Sequence, residues 1–379
     1  MYNINSHYEN IYNFLSTIIS QPRVLYLHPF GATQPENIES LSANMSSTSK
    51  VEAPMFIFYD QEPIYGEFNF TLFDYIRDNI AGPHVLVTTE KESDGVKLIQ
   101  EKYGWTVIYY FHHVFAAHDW FRGYEFDSNL IPPTERKIRK KYISFNRLTS
   151  SSRVYRSLLI SELYKHGLLE HGYVSYNDIC PENGHNFVRN LSDARDSGLI
   201  SQEVWLETVG NIAKSPLPLR IDYKDKGSIP NHSFILSAVP ETQESFVYVV
   251  TETCYWERKC HLTEKIFKPI VSRMPFILVG CAFNLEYLKS YGFKTFDKWW
   301  NEDYDFITDP LERMKAIGNL LKSICSRSNE ELEQMLCEMQ PVLDHNYNLF
   351  YSKEFIGGAW KELTDGLTKS IPPSLLGAA

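Results

Sequence analysis

The sequence predicts an α/β fold of two Rossmann-like domains facing a cleft, and three observations predict it. In the first third, short apolar runs alternate with segments of helical spacing, the pattern of a parallel sheet with helices packed on it. A polar stretch at residues 125–134, carrying Asn129 and the pair Pro132-Pro133, then breaks that order. A second strand-helix series begins directly after it, and 379 residues suffice for two ordinary domains.

In chain order, Arg23–His28, Met55–Tyr59, His84–Val87 and Thr106–Tyr110 read as buried strands, with helical spacing at Leu72–Ile80 and Ser93–Tyr103 between them. The second series opens with a strand at Lys141–Phe145 and a helix from Arg153 to His166, stopped before Gly167. Residues 181–230 are polar and Asn- and Pro-bearing, and read as an insertion with one helical piece near Glu203–Ala213. Strands at Ser245–Val250 and Pro275–Val279 follow, with a helix from Thr263 between them and helices at Asp309–Ser326 and Asn329–Gln340 after them. The domains implied are 1–131 and 138–345, with 346–379 as a tail that packs back on the first domain.

Composition narrows the classes. With 43% hydrophobic and 22% charged residues the chain has the balance of a soluble globular protein, not of a disordered or fibrous one. The longest apolar candidate, Pro269–Leu285, carries Arg273 in its middle, so no membrane span is expected, and the N-terminus lacks a signal-peptide pattern. Six cysteines without CxxC spacing read as reduced thiols, and a cytoplasmic location follows. The net charge of −10 disfavours a polyanion over most of the surface. The 24 Tyr, 23 Phe and 7 Trp supply rings both for a core and for stacking on sugars or bases.

No P-loop, dinucleotide fingerprint, HExxH, GxSxG or CxxC is present. Asp303-Tyr-Asp305 has the spacing of a metal-binding DxD but reads as an exposed loop, and His112, His113 and His118 read as core or cleft-lining rather than as ligands. No metal and no cofactor is expected.

Chemistry is concentrated where polar residues follow strands, because ligands of open α/β sheets bind at the carboxyl ends. In Phe58-Tyr-Asp-Gln-Glu-Pro63, Glu62 is placed to act as a general base. In Ser144–Arg153 a strand passes into Asn146 and a run of hydroxyls before a helix, and Arg153 could add a charge-assisted contact to a phosphate. The basic run 136–141 reads as a solvated domain edge, one that would also add positive potential near the same cleft. The strongest block runs from Val250 to Lys268. Glu252 follows a strand, and Thr263 opens a helix with Glu264 and Lys265 in its first turn. A lysine there runs against the helix dipole, which makes sense if an anion shares the site; Lys265 could pair with a diphosphate and Glu264 with a ribose diol.

These blocks resemble the α1,3-fucosyltransferases, especially their short bacterial members, which are GT-B enzymes using a GDP-sugar. The match lies in Asn146 with Arg153, in Glu252, in Thr263-Glu264-Lys265, and in the first-domain block of Glu62 followed by Phe68–Tyr75. His261 stands where the family often has Tyr. The resemblance implies an inverting, metal-independent glycosyltransferase whose co-substrate is a nucleoside diphosphate-sugar, with a GDP-sugar favoured. Glu62 would be its catalytic base, and Asn146, Arg153, Glu252, His261, Thr263, Glu264 and Lys265 would form the donor site. His113, His118 and Trp120, in a loop spanning 111–124, would face a hydroxyl acceptor, a glycan in the first instance. Two alternatives remain open: a phage-type DNA glycosyltransferase acting on a hydroxymethylated base, which should show salt-sensitive DNA binding, and a non-catalytic nucleotide-sugar-binding protein.

Overall fold

The structure is a computed structural model that describes residues 3–27, 53–64, 66–127, 129–221 and 235–376. The chain divides into two compact units, Met1–Asp119 with Lys259–His261 and Lys353–Ala379, and Trp120–Arg258 with Leu262–Ser352. Each contains a four-stranded, wholly parallel sheet, so the α/β class holds in both.

In the first unit, strands β1 (Arg23–Tyr26), β2 (Met55–Tyr59), β3 (His84–Thr88) and β4 (Thr106–Tyr109) lie in chain order across the sheet. Every residue of β2 is buried, as expected of an apolar run flanked by a strand on each side. Among the described residues, helices α1 (His7–Ile18), α2 (Gly66–Asn79), α3 (Asp94–Tyr103) and α4 (His112–Phe121) accompany these strands. Ser93 caps α3 through Val96 N, and Gly104, at φ 65°, closes it in the left-handed region that glycine tolerates. One face of the sheet packs Leu25, Ile57 and Leu86 against Phe73, Ile76 and Trp105. His28, the last residue of the first expected strand, lies outside the described residues.

The segment read as a loop at 111–124 is α4 over most of its length. Phe111–Ala117 are all buried, His112 and His113 among them, so its first turns have no exposed face and the amphipathic contrast that reveals a helix in a sequence is absent.

In the second unit the strands are β5 (Lys140–Asn146), β6 (Gly172–Tyr176), β7 (Ser245–Thr251) and β8 (Phe276–Val279), in the order β6-β5-β7-β8. From β5 the chain goes first to one side and then to the other, which makes the gap between β5 and β7 a topological switch point. The helices are α5 (Tyr155–Lys165), α6 (Phe187–Asp196), α7 (Gln202–Ala213), α8 (Val239–Gln243), α9 (Phe267–Val271), α10 (Asn284–Ser290), α11 (Pro310–Cys325) and α12 (Asn329–Tyr351). Within the expected insertion, α6 and α7 pack on each other and α7 packs on α5, so these residues form part of the helical layer. Helix α12 continues through Pro341 to Tyr351, 23 residues in all, secured at its start by a Ser328–Glu331 capping box. The last helix, α13 (Lys353–Ser370), belongs to the first unit and lies against β4; Gly366 allows this contact, since a Cβ there would stand 2.6 Å from Ile108 Cγ2.

Candidate functional site

At the carboxyl end of β7, Glu252 is fully buried. Its carboxylate accepts from Thr263 Oγ1 at 2.6 Å, from Thr263 N at 3.3 Å and from Thr253 N at 3.3 Å. Burial raises its pKa above the usual carboxylate range, although Lys265 and the Thr263 hydroxyl pull the other way. The carboxylate therefore clamps the two ends of the 253–263 segment together. Thr263 in turn accepts from Lys265 N at 3.4 Å and from Lys265 Nζ at 3.1 Å, and Lys265 Nζ also reaches Thr253 Oγ1 at 3.3 Å and Glu264 Oε1 at 3.1 Å. Glu252, Thr263, Glu264 and Lys265 are thus brought together, with Glu264 buried and the Lys265 side chain 30% exposed.

Across the switch point, Asn146 ends β5. Its side-chain NH2 donates to Ser144 Oγ at 3.0 Å, while its Oδ1 is buried without a hydrogen-bond partner among the described residues. Thr149 Oγ1 and Ser152 Oγ, in the following loop, are buried and unpartnered in the same sense. Arg153 is held at 3.2 Å by Glu182, which also accepts from Ser150 Oγ, so the acid sits on the cation that the sequence offers to a phosphate.

The residue joining the two strand ends is Arg156, which sequence reasoning missed. It donates to Leu148 O at 3.0 Å and to Thr251 O and Glu252 O at 3.1 Å each. Arg313 does comparable work from α11, donating to Gly280 O at 3.2 Å, to Ile307 O at 2.6 Å and to Tyr255 O, while lying 4.5 Å from the Tyr255 ring centre. Tyr255 stacks on Tyr155 with ring centres 4.4 Å apart. Among the described residues both guanidinium groups are met by carbonyl and hydroxyl oxygens and not by carboxylates, which leaves positive potential behind the loops. A buried arginine inside a helical pattern carries no sequence mark distinguishing it from an exposed one.

The basic run 136–141 lies at the amino end of β5, opposite to these loops. Arg136 is buried and donates to Ile131 O, Ser272 O and Arg273 O, and burial pushes its pKa down to about 10. Lys137 pairs with Glu333 and Arg139 with Glu244, while Lys141 bonds to Arg327 O and Asn329. The expectation that the run feeds potential into the phosphate site is therefore corrected.

In the first unit, Glu62 lies half-buried in the bend after β2. Two residues earlier Asp60 is 1% exposed and central to a polar cluster. It accepts from Tyr8 Oη at 2.9 Å and from Tyr110 Oη, and stands 3.3 Å from His112 Nδ1. Tyr110 Oη also meets His7 Nε2 at 3.0 Å and His112 Nδ1 at 2.9 Å. Burial alone would raise the Asp60 carboxyl, but His112 beside it and the Tyr110 hydrogen bond outweigh that and hold it below the ordinary range. Burial, with His112 adding to it, pushes His7 down to about 3. His7, Asp60 and His112 are the described residues whose donor atoms are gathered closely enough for a metal ion. Nothing in the sequence marks the set, because its members stand at positions 7, 60, 110 and 112.

His113 is buried on α4, and His118 and Trp120 are half-buried further along it. His261 packs edge-on against His113, ring centres 5.7 Å apart, in the first unit rather than with the Thr263 group. The DxD reading is also corrected: Asp303 is exposed, but Asp305 is buried and accepts from Leu285 N and Glu286 N at the start of α10, and burial lifts its pKa to about 6.

Fold and site define a two-unit parallel α/β protein whose second unit gathers basic and hydroxyl side chains at a topological switch point. No protein-family model and no curated protein matches the sequence, so the fucosyltransferase resemblance stands on the residues quoted for it. Among solved structures the chain is similar to the DNA-modifying enzyme β-glucosyltransferase, determined in the presence and absence of its substrate uridine diphosphoglucose. That likeness has 10% identity and a TM-score of 0.43, over 92% of this chain and 81% of that one. Among the described residues, no helix is long and apolar enough to cross a membrane.

Proposed function

We propose that the chain is an inverting glycosyltransferase of the GT-B class that moves a sugar from a nucleoside diphosphate-sugar, a GDP-sugar by preference, to a hydroxyl of a glycan. The observation that carries this reading is the Lys265 ammonium, tethered by Thr253, Thr263 and Glu264 beside the end of β7, on a segment that the buried Glu252 holds in place. A fixed cation at a switch point suits a leaving diphosphate, because its stabilisation needs no reorganisation as charge develops.

In this reading Lys265 meets the departing oxygens, joined by Arg153 once it exchanges Glu182 for phosphate, and Glu264 accepts from the ribose. Asn146, Thr149 and Ser152 supply hydrogen bonds at the end of β5, and Glu252 acts by positioning Thr263. Glu62 takes the proton from the acceptor hydroxyl; that oxygen bonds to the anomeric carbon as the bond to the diphosphate breaks, giving inversion. His113, His118 and Trp120 lie on the acceptor side. Of the run 136–141, Arg136 is buried while Lys137 and Arg139 stay exposed in surface pairs with Glu333 and Glu244, at the end of β5 away from Lys265, and a DNA acceptor is kept as an outcome of the test.

The test is a thermal-shift screen with GDP, UDP, ADP and CDP, followed by transfer assays with the matching sugar nucleotides. GDP should raise the midpoint most, and Glu62→Gln should keep that shift and lose transfer. If none of the four nucleotides raises the midpoint, the reading fails. Binding without transfer to any hydroxyl acceptor marks a non-catalytic binder, and transfer to hydroxymethylated DNA moves the acceptor to nucleic acid.

A further inference from the structure

The buried cluster at the carboxyl edge of the first sheet is not used by the mechanism above, and its composition is unusual for a core. Two imidazoles, a carboxylate and a phenol converge with their donor atoms inward: His7 Nε2 from the start of α1, Asp60 Oδ2 after β2, and Tyr110 Oη and His112 Nδ1 after β4. His7 is 0% exposed, Asp60 1%, Tyr110 0% and His112 4%.

The donor atoms of His7, Asp60 and His112 all lie within 4.8 Å of one another, near enough to close on one ion. Four ligands at about 2.0 Å from a tetrahedral ion stand about 3.3 Å from one another. Here Tyr110 Oη is 3.0 Å from His7 Nε2 and 2.9 Å from His112 Nδ1, and His112 Nδ1 is 3.3 Å from Asp60 Oδ2, while Tyr110 Oη and Asp60 Oδ2 share a hydrogen bond closer than two ligands of one ion and must part as the ion enters. The donor set of two imidazole nitrogens and two oxygens suits zinc or a neighbouring divalent transition ion rather than calcium or magnesium, which take oxygen ligands.

A second observation concerns what holds the ligands. The other carboxylate oxygen, Asp60 Oδ1, accepts from Tyr8 Oη at 2.9 Å, and Tyr8 Oη accepts from Gln61 Nε2 at 2.9 Å. This is the outer hydrogen bonding that orients a metal-bound carboxylate.

We propose that the first unit binds one zinc-like divalent ion through His7, Asp60, Tyr110 and His112, as a closed site that ties α1 to the ends of β2 and β4. Binding releases the Tyr110 phenol proton to solvent, so that one carboxylate and one phenolate balance the two charges of the ion. With four protein ligands the site has no position for a reacting group, and its role is to fix the bend that carries Glu62.

The experiment uses the full chain with any affinity tag removed. It is stripped with EDTA, dialysed, and titrated with Zn2+ alone and with Co2+ alone. The expected result is about one equivalent of retained Zn2+ by elemental analysis, a raised unfolding midpoint, and the intense visible absorption of four-coordinate Co2+. His7→Ala with His112→Ala should lose the metal and the Co2+ band, and Tyr110→Phe should keep folding while weakening Zn2+ and altering the band. The proposal is overturned if wild-type protein retains no stoichiometric ion and neither metal moves the midpoint. It is equally overturned if the His7→Ala, His112→Ala variant still holds a full equivalent with the same Co2+ spectrum.

Discussion

In the first unit the strands follow one another across the sheet from β1 to β4, whereas in the second the chain turns back at β5, so that β6 and β7 flank it on opposite sides. A reversal sends the connections after β5 and β7 to opposite faces and leaves a crevice between their ends. That is where Lys265, the unpartnered oxygens of Asn146, Thr149 and Ser152, and the buried Arg156 are found. Among the described residues the first sheet has no reversal, and its carboxyl edge is filled by side chains instead. Asp60, Tyr110, His112 and His7 close one part of it, and Glu90 with Lys259, paired at 3.1 Å and almost wholly buried, closes another. The same secondary structure thus gives an edge with a tethered lysine and unpartnered oxygens in one unit and an edge of mutually paired polar side chains in the other, and the strand order differs between them.

The strongest way to break this comparison is Glu62→Gln. The half-buried acid of the first unit should account for a loss of transfer on the order of 10²–10⁴-fold with nucleotide affinity unchanged. A transfer rate equal to wild type would move the base elsewhere. Next, the two lysines should behave oppositely. Lys259→Met leaves Glu90 as an uncompensated buried charge and should cost about 3–5 kcal/mol in urea unfolding, with nucleotide binding intact in the folded fraction.

Lys265→Ala should leave stability near wild type and weaken GDP binding by roughly 10–100-fold, measured by calorimetry. If the two variants exchange phenotypes, the assignment of one edge to ligand and the other to packing is wrong. A pair of glycines compares the packing of the units. Gly172→Ala puts a Cβ 2.4 Å from the ring of Tyr142, which is buried and fixed by its bond to Leu168 O, while Gly366→Ala meets only the Ile108 methyl. The first should cost about 2–3 kcal/mol and the second about 1–2 kcal/mol by denaturant titration.

The smallest effect is that of Asp305. Its pKa is lifted by burial to about 6 in the folded chain, above its unfolded value, so the folded state keeps a proton that the unfolded state has lost. Stability from this group is therefore greatest at low pH and is lost as pH rises through 6. Wild type should gain about 1 kcal/mol on going from about pH 6.5 to pH 5 relative to Asp305→Asn, and a null difference would mean that the carboxylate is solvated.

Some of this architecture was legible in the sequence. Fully buried strands such as Met55–Tyr59 and Phe276–Val279 announce themselves as apolar runs, and Thr263 marks a helix start by its own chemistry. Strand β6 escaped notice because its Gly-Tyr-Val-Ser-Tyr alternation is only half apolar, and α4 because its first turns are buried on every side. In the site, the block Thr263-Glu264-Lys265 was visible because three chemically active residues are adjacent in the chain. Arg156 was not, since its partners Leu148, Thr251 and Glu252 meet it only when β5 and β7 lie side by side.

By itself, the sequence determined the α/β class, the existence of two strand-helix series, and the residues gathered after β7, because each depends on local spacing and on contacts between neighbours in the chain. The tertiary structure alone decided the strand order, and with it where the switch point lies. It also buried Arg136 and Asp305, which sequence reasoning left in solvent, and brought His7 to Asp60, Tyr110 and His112. Those outcomes depend on pairing across tens of residues, where burial changes the charge state and the partners of a side chain without changing its neighbours in sequence.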